Sequence, residues 1–161
     1  MGYCSIRVGL CGVALTVCGV PAAQAQTSVL RYGFIAPGVA VCCGEAERTG
    51  HVGAGVDVLW TDAIGLGGEI GLLGISDSAY GTLSVNVSYH VGRSRQDRLR
   101  PFVTAGYTRL FPDAVVNMWN AGVGMHHWFS RDVGLRAEVR DHIYPRQSLH
   151  VLDARFGIVV R

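Results

Sequence analysis

The sequence predicts an all-β fold, an eight-stranded antiparallel up-and-down transmembrane β-barrel that follows a cleaved signal peptide. Three observations predict it. Apolar and small polar residues alternate with period two from residue 29 to the last residue, and no helical periodicity competes. The polar face of that alternation is Gly, Ser, Thr and Asn with few charges of both signs. The chain opens on an uncharged apolar run that ends in a small-x-small triplet.

Residues 1–25 read as the signal peptide. Arg7 is the charge of the n-region, Val8 to Val20 is apolar, Pro21 breaks the run, and Ala23-Gln24-Ala25 places cleavage after Ala25. The apolar run is about 13 residues, short of the ~20 a helix needs to span a bilayer. The mature chain, residues 26–161, is one domain. It keeps only Cys42 and Cys43 of the five cysteines. Adjacent cysteines close only a strained ring, and no His or Cys spacing near them resembles a zinc site. They are assigned no catalytic role.

The strands follow in order. In Val29–Ala36, Leu30, Tyr32 and Phe34 oppose Arg31 and Gly33. In His51–Trp60, Val52, Ala54, Val56, Val58 and Trp60 oppose Gly53, Gly55 and Asp57. In Ile64–Ile75, Ile64, Leu66, Ile70 and Leu72 oppose Gly65, Gly67, Glu69 and Gly71. Tyr80–Val91 alternates most cleanly, with Leu83, Val85, Val87 and Tyr89 against Thr82, Ser84, Asn86, Ser88 and His90. Next, Val103, Ala105 and Tyr107 oppose Thr104, Gly106 and Thr108. Trp119, Ala121, Val123, Met125 and Phe129 oppose Asn120, Gly122, Gly124 and His126. Val133, Leu135, Ala137, Val139 and Ile143 oppose Gly134, Arg136, Glu138, Arg140 and His142. Finally Leu152, Ala154, Phe156, Ile158 and Val160 oppose Asp153, Arg155 and Gly157. The connections are 37–50, 61–63, 76–79, 92–100, 112–117, 130–132 and 144–148. An even number of strands joined mostly by short connections can close up and down.

Alternation alone does not say which face is outside. A soluble lipocalin-like carrier has its apolar face inside, whereas a membrane barrel has it outside. The small polar face suits a narrow lumen. Its charges balance: Arg31, Arg136, Arg140 and Arg155 against Asp57, Glu69, Glu138 and Asp153. Such a set fits an enclosed ion-pair network, because an unpaired buried charge is costly. Aromatics form two expected girdles, Trp60, Phe102, Trp128 and Phe129 at one rim and Tyr80, Phe111, Trp119 and Tyr144 at the other. His90, His126 and His142 face the lumen as network members, with no metal assigned.

Net charge is +2, all 14 basic residues being Arg, and no basic stripe points to nucleic acid. No phosphate loop, dinucleotide fingerprint or cofactor site is found. Eight strands leave a lumen that side chains fill, so a pore is not expected. Hydrolase candidates (His127 with Ser130 and Asp132, or His126 with Glu138) form no coherent triad by strand parity.

Three stretches carry a resemblance: Arg100 to Tyr107, Asn120 to Gly124, and Gly134 to Asp141 with its R-x-E-x-R pattern. In these the chain resembles the small eight-stranded outer-membrane β-barrel proteins of the OmpA/OmpX-like class, over residues 28–161. The resemblance implies both chain ends in the periplasm and loops 37–50, 76–79, 112–117 and 144–148 facing outward. It implies a bacterial outer-membrane location, with membrane lipids, lipopolysaccharide and the assembly machinery as partners, and a monomer. Such barrels commonly end in an aromatic residue; here the nearest is Phe156. The expectation is a structural barrel, not an enzyme, with a lipid-A-modifying hydrolase and a soluble lipocalin-like carrier as alternatives.

Overall fold

The computed structural model describes residues 28–92, 97–111 and 116–161. The signal peptide expected at residues 1–25, and its cleavage site, lie outside the described residues. Those described form eight strands: β1 (Ser28–Cys42), β2 (Glu45–Leu59), β3 (Ile64–Ile75), β4 (Ser78–His90), β5 (Leu99–Phe111), β6 (Val116–Trp128), β7 (Val133–Tyr144) and β8 (Leu149–Val160). Each pairs antiparallel with the next, and β1 pairs with β8, so the sheet closes in sequence order. Closure leaves the sheet without an open edge, which hydrocarbon surroundings require.

The register fixes the tilt. A walk from Arg31 through Val56, Gly68, Val85, Tyr107, Trp119, Ile143 and His150 returns to β1 at Val41, ten residues beyond its start. With strand and residue spacings fixed, that stagger inclines the strands by about 40°.

The first hairpin is longer than the sequence reading allowed. Residues 37–50 are not a loop: β1 and β2 run on to Cys42 and Glu45 and are joined by Cys43 and Gly44 alone. Both turn residues have positive φ, 56° and 87°, the combination that continues the right-handed twist of the flanking strands. Pro37 sits inside β1 facing outward, and the β1–β8 ladder skips Ala36 and Pro37, as a residue without an N–H dictates.

At the other end two turns share one design. Trp60 N–H donates to Ile64 C=O (3.0 Å), and Thr61 Oγ1 accepts from the N–H groups of Ala63 (3.2 Å) and Ile64 (2.9 Å). Phe129 N–H donates to Val133 C=O (3.1 Å), and Ser130 Oγ accepts from Asp132 (3.3 Å) and Val133 (3.1 Å). A hydroxyl at that position replaces a missing ladder partner.

The apolar face points out. Val85 (56% exposed), Val87 (54%) and Ile158 (58%) lie on the outer wall, with Ile70, Leu72, Leu83, Val123 and Phe156. Inside are Asp57, Glu69, Ser84, Asn86, Arg136, Glu138, Arg140 and Arg155. This is the arrangement of a membrane barrel, not of a carrier with an apolar interior. Two apolar clusters lie inside at opposite ends: Leu30, Tyr32, Phe34, Leu59, Trp128 and Val159 near the chain ends, and Ala40, Leu73, Leu110, Met118 and Val151 at the far end.

Candidate functional site

Between the two apolar clusters lies the charged network. Arg136 on β7 donates to Asp57 Oδ2 on β2 (3.1 Å) and, through Nε and Nη2, to Glu138 Oε2 (3.1 and 3.0 Å). Arg140 donates to Glu138 Oε1 (2.6 Å) and to Glu69 Oε2 on β3 (2.6 Å). Arg155 on β8 donates to the same Glu69 oxygen (3.0 Å), whose other oxygen accepts from Tyr32 OH (2.7 Å). Period two along β7 sets Arg136, Glu138 and Arg140 on one face, so each carboxylate oxygen of Glu138 meets one neighbouring guanidinium. Each of these six charged residues is at most 4% exposed.

Glycine makes the room. A Cβ on Gly122 would come 2.8 Å from Glu138 Oε1, and one on Gly67 would collide with Asp57 Oδ1. Small residues therefore belong on the strand walls that face long charged side chains.

Seven of the eight expected network residues meet in this lumen: Asp57, Glu69, Arg136, Glu138, Arg140, Asp153 and Arg155. Arg31 does not. It is exposed on the outer wall, and Leu30, Tyr32 and Phe34 face inward instead. The inversion has a physical cause. The guanidinium of Arg136 stacks on Tyr32 (4.0 Å) and Phe102 (4.4 Å), and that of Arg155 on Phe34 (4.4 Å). The glycines opposite supply the space: a Cβ on Gly55 would lie 2.6 Å from Tyr32 Cζ, and one on Gly53 2.8 Å from Phe34 Cζ. Large side chains on β1 complement glycines on β2.

Arg100, which the sequence places at the end of the connection 92–100, takes the fourth cationic place. It is 2% exposed, and its Nη2 donates to the Asp62 carbonyl. Among the described residues the lumen thus still balances four arginines against four carboxylates. Two aromatics move as well. Phe102 (1% exposed) and Trp128 (4%) are lumenal, not girdle residues, whereas Trp60, Phe111, Trp119 and Phe129 are exposed outward. Tyr80 and Tyr144 are half-buried against the far apolar cluster.

His51, which the sequence reading did not single out, joins the network at Asp153. Its Nδ1 lies 2.9 Å from Asp153 Oδ2, and Nε2 lies 3.2 Å from Thr82 Oγ1. His51, His142 and Asp153 hold their donor atoms within 4.8 Å of one another, a spacing suited to a metal ion. The place of a cation is already taken. Arg155 Nη2 stands 3.3 Å from His51 Nδ1, 3.1 Å from His142 Nε2 and 3.9 Å from Asp153 Oδ2. His142 Nδ1 lies 3.1 Å from Thr108 Oγ1, which also accepts from Asn120 Nδ2 (2.9 Å).

The hydrolase candidates do not converge. His127 faces outward, edge-on to Phe129 at 5.0 Å. The Ser130 hydroxyl caps its turn. His126 packs against both His90 (5.5 Å) and Phe102 (4.7 Å), which also touch each other, while Glu138 is committed to Arg136 and Arg140.

No family model and no curated protein sequence matches the chain. Solved structures do match its fold. The N-terminal β-barrel domain of Pseudomonas aeruginosa OprF aligns with TM-score 0.65 at 18% identity, over 84% of this chain and 98% of that one. Neisserial surface protein A aligns with TM-score 0.67 at 8% identity, over 83% and 97%. The outer-membrane enzyme PagL aligns with TM-score 0.50 at 12% identity, over 81% and 99%. The chain has the fold of the eight-stranded outer-membrane β-barrels.

Proposed function

We propose that this chain is a structural, non-catalytic β-barrel of the bacterial outer membrane. It acts as a monomer, with both chain ends on the periplasmic side, lipids and lipopolysaccharide against its wall, and the outer-membrane assembly machinery as its route of insertion. One observation carries the reading. The lumen is occupied by side chains that pair with one another, from Asp57 through Arg136, Glu138, Arg140 and Glu69 to Arg155, between apolar clusters at either end. Such an interior suits a scaffold more than a conduit or a ligand cavity.

Two measurements test it. Cell fractionation with heat-modifiable gel mobility should place a compact, heat-sensitive species in the outer-membrane pellet; recovery in the periplasmic supernatant would overturn the location. Mass spectrometry of lipid A from expressing cells should show no new species. A mass shift abolished by His127→Ala would replace the structural reading by the hydrolase.

A further inference from the structure

The outward turn of Arg31 leaves a cation on the lipid-facing wall. Its register neighbours are Val56 on β2 and Val160 on β8, and among the described residues its guanidinium meets no carboxylate. It stands at one end of an outer-wall groove of about 490 Å³, whose floor and sides include Gly33, Ala54, Gly68, Ile70 and Ile158. Strand direction orders these residues. Along β1, Gly33 lies beyond Arg31, away from the end of the barrel that carries the chain ends. Ile70 on β3, Ala54 on β2 and Ile158 on β8 lie on that same far side of Gly68, Val56 and Val160. The groove is therefore charged at its near end and apolar beyond it.

Folding does not require the groove. A Cβ on Gly33 would meet nothing nearer than the Gly53 carbonyl at 3.8 Å, and one on Gly68 nothing nearer than the Ser84 carbonyl at 3.9 Å. Both are ordinary contacts. The lumenal Gly67 and Gly122 are fixed by collisions with Asp57 and Glu138, but nothing in the barrel excludes a side chain at 33 or 68. An unfilled trough and a guanidinium that meets no carboxylate among the described residues coincide, and each lacks something those residues do not supply.

We propose that the groove binds one glycerophospholipid of the membrane leaflet nearest the chain ends. Arg31 donates to its phosphodiester oxygens, and an acyl chain lies over Gly33, Ala54 and Gly68. A planar guanidinium offers paired donors to phosphate oxygens, and beside hydrocarbon that pairing satisfies a charge no carboxylate among the described residues answers. A straight chain fills the trough that branched side chains leave open. The proposal rests on the membrane reading above.

The test uses the full mature barrel in detergent, titrated with 1-palmitoyl-2-oleoyl phosphatidylglycerol and followed by native mass spectrometry. One lipid adduct should persist. Arg31→Gln, Gly33→Leu and Gly68→Leu should each weaken it at least fivefold, with heat-modifiable mobility unchanged. Diacylglycerol with the same chains should not distinguish the native protein from Arg31→Gln. If a leucine variant fails to fold, Gly33→Val and Gly68→Val take its place. Equal adducts in the native protein and all folded variants would overturn the proposal. So would a dimer lost in Gly33→Leu with lipid binding untouched, which would make the groove an interface between copies. Failure to enter the outer-membrane fraction would instead strike the membrane reading, and the two failures are separable.

Discussion

Glu138→Ala tests the lumenal network most directly. The carboxylate receives three charge-assisted hydrogen bonds, two from Arg136 at 3.1 and 3.0 Å and one from Arg140 at 2.6 Å. The side chains of Arg136 and Arg140 are 3% and 0% exposed, so water cannot replace the lost acceptor. Arg136 keeps Asp57 and Arg140 keeps Glu69, but two cations then share a space with one fewer anion. Removing one member of a buried ionic set costs about 3–5 kcal/mol. With a urea slope of about 1–3 kcal/mol per M, the midpoint should fall by at least about 1 M. Tryptophan fluorescence during urea unfolding in lipid vesicles, checked by gel mobility, reads this directly. Glu138→Gln should lie between, since the amide keeps one acceptor and turns a donor toward a guanidinium. A Glu138→Ala midpoint within about 0.3 M of the native value would refute the reasoning.

Other consequences are open to the same assays. Leu83→Arg and Val123→Arg place a charge on the exposed outer wall and should each cost about 2–4 kcal/mol in vesicle refolding, provided they lie near the bilayer midplane. Gly122→Ala brings a Cβ to 2.8 Å from Glu138 Oε1 and 2.9 Å from the Val139 carbonyl and should lower the urea midpoint; Gly74→Ala, whose nearest atom is 3.6 Å away, should leave it within error. Ser130→Ala removes a hydroxyl that accepts two N–H groups and should cost about 0.5–1.5 kcal/mol without altering lipid A. Arg155→Ala frees the space among His51, His142 and Asp153, so Zn²⁺ present during refolding should recover part of the lost stability in that variant and none in the native chain.

The strand phases from β2 to β8 were legible because their two faces differ in kind: Val and Leu against Thr, Ser and Asn in β4, for instance. β1 carries large apolar residues inward and an arginine outward, so its own composition points the wrong way. The corrective signal lay in the next strand. Gly53 and Gly55 leave room on the lumenal face that a neighbour has to fill, and Phe34 and Tyr32 stand opposite them. Trp128 shares parity with His126 and Asn120, so alternation placed it inside, although its position near a strand end resembled a girdle. Arg100 was obscured by the other arginines between residues 93 and 98, yet it continues the even-numbered face of Phe102, Thr104 and Thr108. The extent of the first hairpin turned on Cys43 adopting a left-handed backbone, which residue identity only weakly foretells.

Four charged links join strands far apart in the chain. Asp57 on β2 reaches Arg136 on β7, Glu69 on β3 reaches Arg140 on β7 and Arg155 on β8, and His51 on β2 reaches Asp153 on β8. Each of these links ties β2 or β3 to β7 or β8 across the lumen, and so joins the two ends of the sheet that meet at the β1–β8 seam. Zipping that seam and extracting these charges from water are therefore coupled, since the partners stand on opposite ends of the sheet. Once shut, the two halves of the sequence are latched to each other through the middle. Prising β8 away would rehydrate the interior wholesale, so slow opening follows from where the latch was placed.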